Sequence, residues 1–403
     1  MTTPPAPGPL QGVRVVDLGL SWAAPFTGML LADMGAEVIR VESHQHLDIL
    51  RWSAAFVDGV RHFERSGYYM ACNRGKRSVT LNLKTPRGRE LLLDLVEQSD
   101  VLIENFSPRV LESLHLGVPV LHDRNPRLVI LSMSGYGATG PDMDRSAYGD
   151  HLLHASGFAA VTGHPDDPHT VIGTFYGDPV GGLYGALGVL AALDRVGVGG
   201  AGEHLEYSQV EGLLSLIPTA FMAVSAGEAA PRRADKSPSS VPHGFYRCAG
   251  DDAWVALAVR DDDEWARLAP VLGFEPGAFG MLPQRLAAEN EIDSAVAEWA
   301  GTRSPWEVTD TCQSLGVAGH PVHSAAGMIL DDHLAGRGFF RWVHRPLTGP
   351  GMIPGVTLRI AGDAVGVRGP APTIGEHNDE ILHGLLGIST EEIGELVRDG
   401  VVD

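Results

Sequence analysis

The chain has 403 residues, of which 44% are hydrophobic and 20% charged, and its formal net charge is −20. This length is enough for two domains and a full hydrophobic core. So acidic a surface repels nucleic acid and anionic membranes, and we expect neither as a partner. The sequence shows no signal peptide, and its three cysteines lack disulfide or metal-site spacing. We therefore expect a cytoplasmic protein without a metal.

The first third of the chain alternates short apolar strands with helices. A strand at 13–18, a helix at 25–34 and a strand at 37–42 predict a βαβ unit. Further buried strands at 101–104 and 128–132 predict an α/β fold, a Rossmann-like large domain whose mostly parallel sheet is covered on both faces. Ligands bind beyond the carboxyl ends of such strands.

Four strand exits are therefore expected to contribute to a ligand site. They are the segments 19–24, 42–46, 105–108 and 134–141. The first of them lacks the G-x-G-x-x-G fingerprint, which argues against a dinucleotide on the following helix.

The second half of the chain predicts a smaller domain. A strand at 203–208 and a long apolar helix from about 209 to 226 end the large domain at 226. Residues 227–243 turn polar, basic and proline-bearing, as a linker does. Residues 244–330 predict a small α+β domain, and 331–403 a linker and a return to the large domain.

One acidic residue stands out, Asp178, between Gly177 and Pro179. It opens a predicted helix that is unusually rich in glycine, with Gly181, Gly182, Gly185 and Gly188. Each glycine costs a helix about 1 kcal/mol relative to alanine, so a neighbouring backbone or a ligand is expected to approach closely. Read alone, Asp178 is more typical of a helix N-cap than of a catalytic residue.

The order and spacing of several short motifs resemble the family III CoA-transferases, which include formyl-CoA and carnitine CoA-transferases and the related α-methylacyl-CoA racemases. The motifs are residues 10–17, 34–42, 73–78, 104–106, 134–136, 177–178 and 375–377. The resemblance covers nearly the whole chain and implies that Asp178 is a covalent nucleophile. It also implies an interlocked homodimer that exchanges coenzyme A between an acyl-CoA and a carboxylic acid without a metal or redox cofactor.

The resemblance also implies a coenzyme A site near basic residues and the Asn-Phe turn. Phosphate groups need cations. The expected contacts are Arg40, Arg74, Lys76, Arg77, Asn105, Phe106, Arg109, Tyr136 and Gly137. Backbone N–H groups stabilise the oxyanions of acyl transfer, and aromatic side chains select the acid. The residues expected near the oxyanion and the substrate are Trp22, Ala23, Gly140, Tyr148 and Gly177.

Two alternatives remain at this point. A racemase of the same family uses a histidine where this chain has Tyr148, although His151 and His154 follow closely. General-base chemistry would require one of them within hydrogen-bond reach of the substrate. The other alternative is a non-catalytic protein that binds coenzyme A.

Overall fold

A computed structural model describes residues 7–167, 173–360 and 365–403, and these residues form two compact units. The first unit contains 7–158, 173–219 and the described residues from 335 onward; the second contains 159–167 and 220–334. Residues 159–167 and 220–243 thus group with the second unit, whereas the sequence suggested a domain end at 226 and a linker.

The first unit is built on a six-stranded parallel sheet, which confirms the predicted α/β class. Its strands are β1 (Arg14–Asp17), β2 (Glu37–Glu42), β3 (Arg77–Thr80), β4 (Val101–Glu104), β5 (Val129–Ser134) and β6 (His204–Ser208). They lie in the order β3-β2-β1-β4-β5-β6, the order of a doubly wound Rossmann sheet. The direction of winding reverses between β1 and β4, which is where such sheets open a crevice for ligands.

Helices cover both faces of this sheet. The helices up to residue 214 are α1 (Ala23–Asp33), α2 (Gly67–Asn73), α3 (Pro86–Glu97), α4 (Val110–Ser113), α5 (Val118–Arg124), α6 (Gly149–Ala155), α7 (Phe158–Val161), α8 (Gly177–Gly197) and α9 (Gln209–Leu214), and of these α7 belongs mostly to the second unit. Successive strand residues enter opposite cores: Val16 packs with α3, and Val15 packs with α1 and α8. This alternation explains why the strands are apolar throughout.

Helix α8 is apolar and long enough to cross a membrane by length and composition. Its glycine-bearing face instead packs on α1. A Cβ atom at Gly182 would lie 2.5 Å from Phe26 Cδ1, and one at Gly185 would lie 2.7 Å from Thr27 Oγ1. The glycines therefore allow two helices to approach closely: at Gly182 and Gly185 the neighbour is α1, and not a ligand.

The predicted helix at 209–226 is interrupted. The chain forms α9, leaves helical geometry, and resumes as α10 (Pro218–Ser225). A proline has no N–H for the helix and collides with the carbonyl four residues earlier, so it begins a new helix.

The second unit has a three-stranded antiparallel sheet, β7 (His243–Arg247), β8 (Trp254–Ala258) and β9 (Ala318–Pro321). Its helices are α11 (Asp262–Leu268), α12 (Leu282–Ala287), α13 (Glu289–Gly301), α14 (Pro305–Ser314) and α15 (Ala325–Ile329), followed at its end by α16 (Asp332–Gly336). Trp265 and Trp299 lie in its own hydrophobic core.

The last part of the chain returns to the first unit. It forms the hairpin β10 (Phe340–Arg345) and β11 (Gly349–Pro354), a π-helical turn (Glu380–Leu385) and α17 (Thr390–Arg398). His377 N–H donates to the carbonyl of Ser78, and Asn82 N–H donates to that of Val401. These bonds attach the returning segment to β3 and its exit.

Candidate active site

A cleft of about 610 Å³ lies at the carboxyl ends of the parallel strands, within the first unit. It is lined by the exits of β1 to β4 and by the segment between β5 and α6. The lining segments are 18–21, 41–49, 81–84, 105–108 and 143–149, with Asp178 and Gln209 among the remaining lining residues. The site therefore occupies the edge of the sheet that the strand order predicts.

Asp178 lies in the first turn of α8 and borders this cleft, but it does not cap the helix. The helix already begins at Gly177, and the N-cap position belongs to Tyr176. The Asp178 carboxylate instead faces the backbone N–H of Ala23, the first residue of α1, and this backbone donor lowers the pKa of the carboxyl group. The close packing of α8 on α1 brings these two helix starts together, and the capping interpretation is wrong.

The carboxylate is buried, with only 8% of the residue exposed. Burial raises the pKa of Asp178 to about 7, and the Ala23 hydrogen bond opposes that rise. Among the described residues, no cationic side chain forms an ion pair with it. A buried, uncompensated carboxylate in a cleft is typical of a functional group rather than a structural one.

The loop that precedes α6 comes unusually near this carboxylate. A Cβ atom at Gly149 would lie 2.5 Å from Asp178 Oδ2 and 2.6 Å from Phe175 Cβ. Only glycine fits there without displacing the carboxylate. The adjacent Tyr148 lines the cleft and is 59% exposed.

The basic residues expected at the phosphates are placed elsewhere. Arg40 and Lys76 are buried and pair with Asp17, and neither lines the cleft. Arg74 is buried against Asp33. Carboxylates of the same chain already compensate these three charges. In this conformation, the three side chains are therefore not free to bind a phosphate.

Two other expected cations are partly exposed and also paired. Arg77 contacts Glu37 and Glu380, and Arg109 pairs with Asp144 at 3.0 Å. Neither lines the cleft.

The cleft instead carries Lys84 and Arg145, which sequence reasoning missed. Lys84 follows the exit of β3, so the rule that ligands bind at strand exits could have identified it. Arg145 forms an ion pair with Asp142 at 2.7 Å, and its side chain is 70% exposed. Ser21 and His46 also line the cleft, within the expected strand exits 19–24 and 42–46, whereas Gln209 was not anticipated.

The Asn-Phe turn lies in the cleft as expected. Asn105 and Phe106 are both lining residues. The Asn105 amide accepts a hydrogen bond from Leu20 N–H at 2.7 Å and donates one to Leu20 C=O at 2.8 Å. These two bonds join the exits of β1 and β4, where the sheet reverses its winding.

The remaining expected residues surround the site less directly. Tyr136 packs with Leu152 and Leu213, and Trp22 lies edge-on to Tyr68. Gly137 and Gly140 have positive φ but do not line the cleft. The backbone N–H that meets Asp178 therefore comes from Ala23, and not from the glycine-rich turn.

The two histidines considered for a racemase lie outside the set of cleft-lining residues. His154 Nδ1 lies 2.7 Å from the carbonyl oxygen of Asp150, and His151 lies beside the Asp150 carboxylate.

This geometry is that of an α/β enzyme whose ligand cleft holds a buried carboxylate, Asp178, that pairs with no cation among the described residues. The model of the CoA-transferase family III matches residues 10–378, and the chain belongs to this family. The chain is 32% identical over its whole length, and the whole length of the relative, to a succinyl-CoA–D-citramalate CoA-transferase of Chloroflexus aurantiacus. It is 31% identical to a succinate–glutarate CoA-transferase of Agrobacterium fabrum, covering 93% of this chain and 95% of the relative.

A solved structure has the same fold. It is a CAIB/BAIF family protein from Brucella suis, with a TM-score of 0.83 and 27% identity, and the match covers 94% of this chain and 100% of that one.

Proposed function

We propose that this enzyme moves coenzyme A from an acyl-CoA donor to a carboxylic acid by covalent catalysis at Asp178. The observation that carries the proposal is the buried Asp178 carboxylate, which has no cationic partner among the described residues, borders the strand-exit cleft and receives the Ala23 N–H. With a pKa of about 7, roughly half of the molecules hold it as the nucleophilic carboxylate at neutral pH.

The proposed cycle uses the carboxylate as a temporary acyl acceptor. A carboxylate oxygen of Asp178 attacks the thioester carbonyl, the C–S bond breaks, and a mixed anhydride and the CoA thiolate result. The thiolate attacks the Asp178 carbonyl carbon, releasing the donor acid and leaving an aspartyl-CoA thioester. The acceptor carboxylate attacks that thioester to give a new anhydride and thiolate, and the thiolate then attacks the acceptor's acyl carbon, freeing Asp178.

The Ala23 N–H is suited to the charge that develops in two of these steps. When the thiolate, or the acceptor carboxylate, attacks the Asp178 carbonyl carbon, the former carboxylate oxygen becomes an oxyanion. A backbone donor already aimed at that oxygen stabilises it without further reorganisation, an effect worth roughly 3 kcal/mol in other enzymes.

Coenzyme A fits the cleft by its chemistry. Apolar side chains at the exits of β2 and β4, such as Ile49, Phe106 and Val110, line the wall for the pantetheine arm. Lys84 offers a charge to the phosphates at the exit of β3.

The named relatives act on dicarboxylic acids, and we extend this class to the present enzyme. Arg145 is the cleft arginine able to bind the distal carboxylate of a succinyl group. Arg145→Met should raise the KM for succinyl-CoA about tenfold and leave that for butyryl-CoA unchanged, whereas Lys84→Met should affect both. An equal effect of Arg145→Met on the two donors would contradict this assignment.

The decisive experiment traps the covalent intermediate. The enzyme is incubated with succinyl-CoA, quenched with hydroxylamine and digested, and mass spectrometry should find the hydroxamate on the peptide that contains Asp178. Asp150→Asn, one residue beyond the glycine that faces Asp178, serves as a control and should keep the adduct. An unmodified Asp178 in an enzyme that still transfers CoA would overturn the proposal, and deuterium exchange at the α-carbon without an acceptor would favour the racemase.

We further propose a cytoplasmic homodimer, interlocked as the family resemblance implies. Leu183 and Leu187 on α8 are 59% and 63% exposed, which supports a contact with another chain. Light scattering should give twice the monomer mass, 42.9 kDa. A stable monomer with full activity would contradict the proposal.

A further inference from the structure

The loop between β1 and α1, residues 19–22, is held almost entirely by side chains of other elements. Gly19 N–H donates to Asp17 Oδ1 at 2.8 Å, and Gly19 C=O accepts from the Arg40 guanidinium. Ser21 N–H donates to Asp48 Oδ1 at 2.9 Å, although Ser21 has a φ of 61°. A non-glycine residue in this region is strained, so the bonds around it must fix the conformation.

Those side chains form one buried cluster of charges. Arg40 Nη2 lies 2.6 Å from Asp48 Oδ2, and Arg40 Nη1 lies 3.3 Å from Asp17 Oδ1. Lys76 Nζ lies 2.7 Å from Asp17 Oδ2 and donates to the carbonyl of Pro25, in the first turn of α1, at 2.7 Å. Glu42 lies on the other side of Arg40, at 3.5 Å.

A buried ion cluster is poor evidence for stability alone, because well-packed apolar residues often stabilise a core as well or better. What the cluster fixes here is a particular conformation. The loop runs directly into Ala23, whose N–H meets the Asp178 carboxylate. Each bond to Gly19, Ser21 or Pro25 limits where that N–H can point.

We infer that Arg40 and Asp48 are positioning residues for the transfer reaction: they hold the loop 19–22 so that the Ala23 N–H stays aimed at Asp178. The inference rests on the proposed role of Asp178. In this inference Arg40 positions the loop next to the nucleophile, whereas the sequence suggested that it contacts a phosphate. Asp48 is the key member because its two oxygens hold the loop and the arginine separately.

The test replaces Asp48 by asparagine. One amide oxygen can still accept from Ser21, but the amide N–H₂ would face the donors of Arg40, so the loop should shift. Without a well-placed Ala23 N–H, the ionised form of Asp178 loses its hydrogen bond, and the midpoint of the pH profile for adduct formation should rise by about one unit. The rate of adduct formation should then fall about fivefold at pH 7 and recover at about pH 9.

The matched control is Asp33→Asn. It also removes a buried carboxylate paired with an arginine, Arg74 at 2.6 Å, but at the other end of α1 and without a bond to the loop. It should lower the melting temperature without moving the pH profile. Arg40→Lys supplies a second variant if Asp48→Asn does not fold. It keeps the positive charge but loses the two guanidinium nitrogens that contact Gly19 and Asp48.

The Asp178 pKa is read independently of catalysis, by carboxyl ¹³C NMR of aspartate-labelled protein and subtraction of the Asp178→Asn spectrum. The NMR signal belongs to Asp178 and not to His46, which lines the same cleft. Burial raises the pKa of nearby Cys72 to about 12, which is outside the pH range of the titration. Equal profiles for Asp48→Asn and Asp33→Asn would overturn the positioning role. A missing adduct in the wild type would instead overturn the proposed function, while the NMR titration still decides the inference.

Discussion

Two buried carboxylates of the first unit, Asp17 in β1 and Asp178 in α8, behave in opposite ways. Burial alone would raise the pKa of Asp17, but Lys76 and Arg40 together hold it below its usual value. Burial also raises the pKa of Asp178, and there only one backbone N–H opposes it. The same residue type is thus structural where cations surround it and reactive where they are missing.

The largest difference between the two should appear in catalysis. Asp178→Asn removes the nucleophile and keeps the shape of the side chain, so the rate of CoA transfer should fall by about 10⁴-fold or more. Initial rates with succinyl-CoA and a dicarboxylic acid measure this, with circular dichroism as a check on folding. Retention of more than a few per cent of the activity would mean that another group carries the acyl transfer.

Asp17→Asn should act chiefly on stability, and on catalysis only through the loop 19–22 that Asp17 helps to hold. It leaves two buried cations, Lys76 and Arg40, facing a neutral amide, and the free energy of unfolding should fall by about 3–5 kcal/mol. Urea unfolding measures the loss. Asp58→Asn breaks an ion pair whose acidic side chain is 72% exposed, and it should change stability by no more than about 1 kcal/mol. Similar losses in both variants would mean that burial of the Asp17 cluster does not set the cost of breaking it.

The comparison of Asp17 with Asp178 also shows which parts of the fold and of the site could be predicted from the sequence. Strand and helix periodicity located the sheet, and the rule for parallel sheets located the cleft at its carboxyl edge. The ion pairs of the basic run 74–77 could not be predicted because its partners lie far away in the sequence: Lys76 pairs with a carboxylate 59 residues earlier, and Arg74 with one 41 residues earlier. Nothing local distinguishes a solvated basic run from one that folds inward.

Asp178 shows a similar limit. Its place beside Pro179 at the start of a helix suggested a cap, and only the family resemblance suggested chemistry. The Ala23 N–H that replaces the cap comes from another helix, so no local pattern could have revealed it. Lys84 could have been predicted from its place after a strand exit, but the prediction of phosphate contacts relied on the basic run 74–77 instead.

Because Asp178 pairs with no cation among the residues that the structure describes, it should be a source of instability above neutral pH. The folded state raises its pKa from 3.8 to about 7, so the folded state binds the proton more tightly than the unfolded chain. Stability contributed by this group therefore falls as pH rises from about 4 to 7, by on the order of 4 kcal/mol at most. Asp178→Asn does not titrate, so its stability relative to wild type should increase between about pH 4 and pH 8 in urea unfolding.

The sign of this pH dependence can be tested directly. If the relative stability of Asp178→Asn were the same at both pH values, the carboxylate would be compensated by a charge, and the contrast with Asp17 would disappear.

Gly149→Ala should disturb the reactive carboxylate while leaving the charged cluster alone. The new Cβ would lie 2.5 Å from Asp178 Oδ2, so the carboxylate must turn away, and the transfer rate should fall by about 10- to 100-fold. The backbone at this position is not in the left-handed region, so the fold should remain intact. Steady-state kinetics with a normal melting curve would establish the effect, and an unchanged rate would show that the carboxylate has room to move.

Gly188→Ala lies on the same helix as Asp178 and separates packing from chemistry. Its new Cβ would lie 3.5 Å from Leu205 Cδ1, an ordinary contact, so the substitution should stabilise the protein by about 0.5–1 kcal/mol through the helix preference for alanine. Transfer should stay at the wild-type rate, because the glycines that α1 requires, Gly182 and Gly185, are untouched. A rate loss comparable to that of Gly149→Ala would mean that the reaction depends on the flexibility of α8. The effect at Gly149 could then not be assigned to its contact with Asp178.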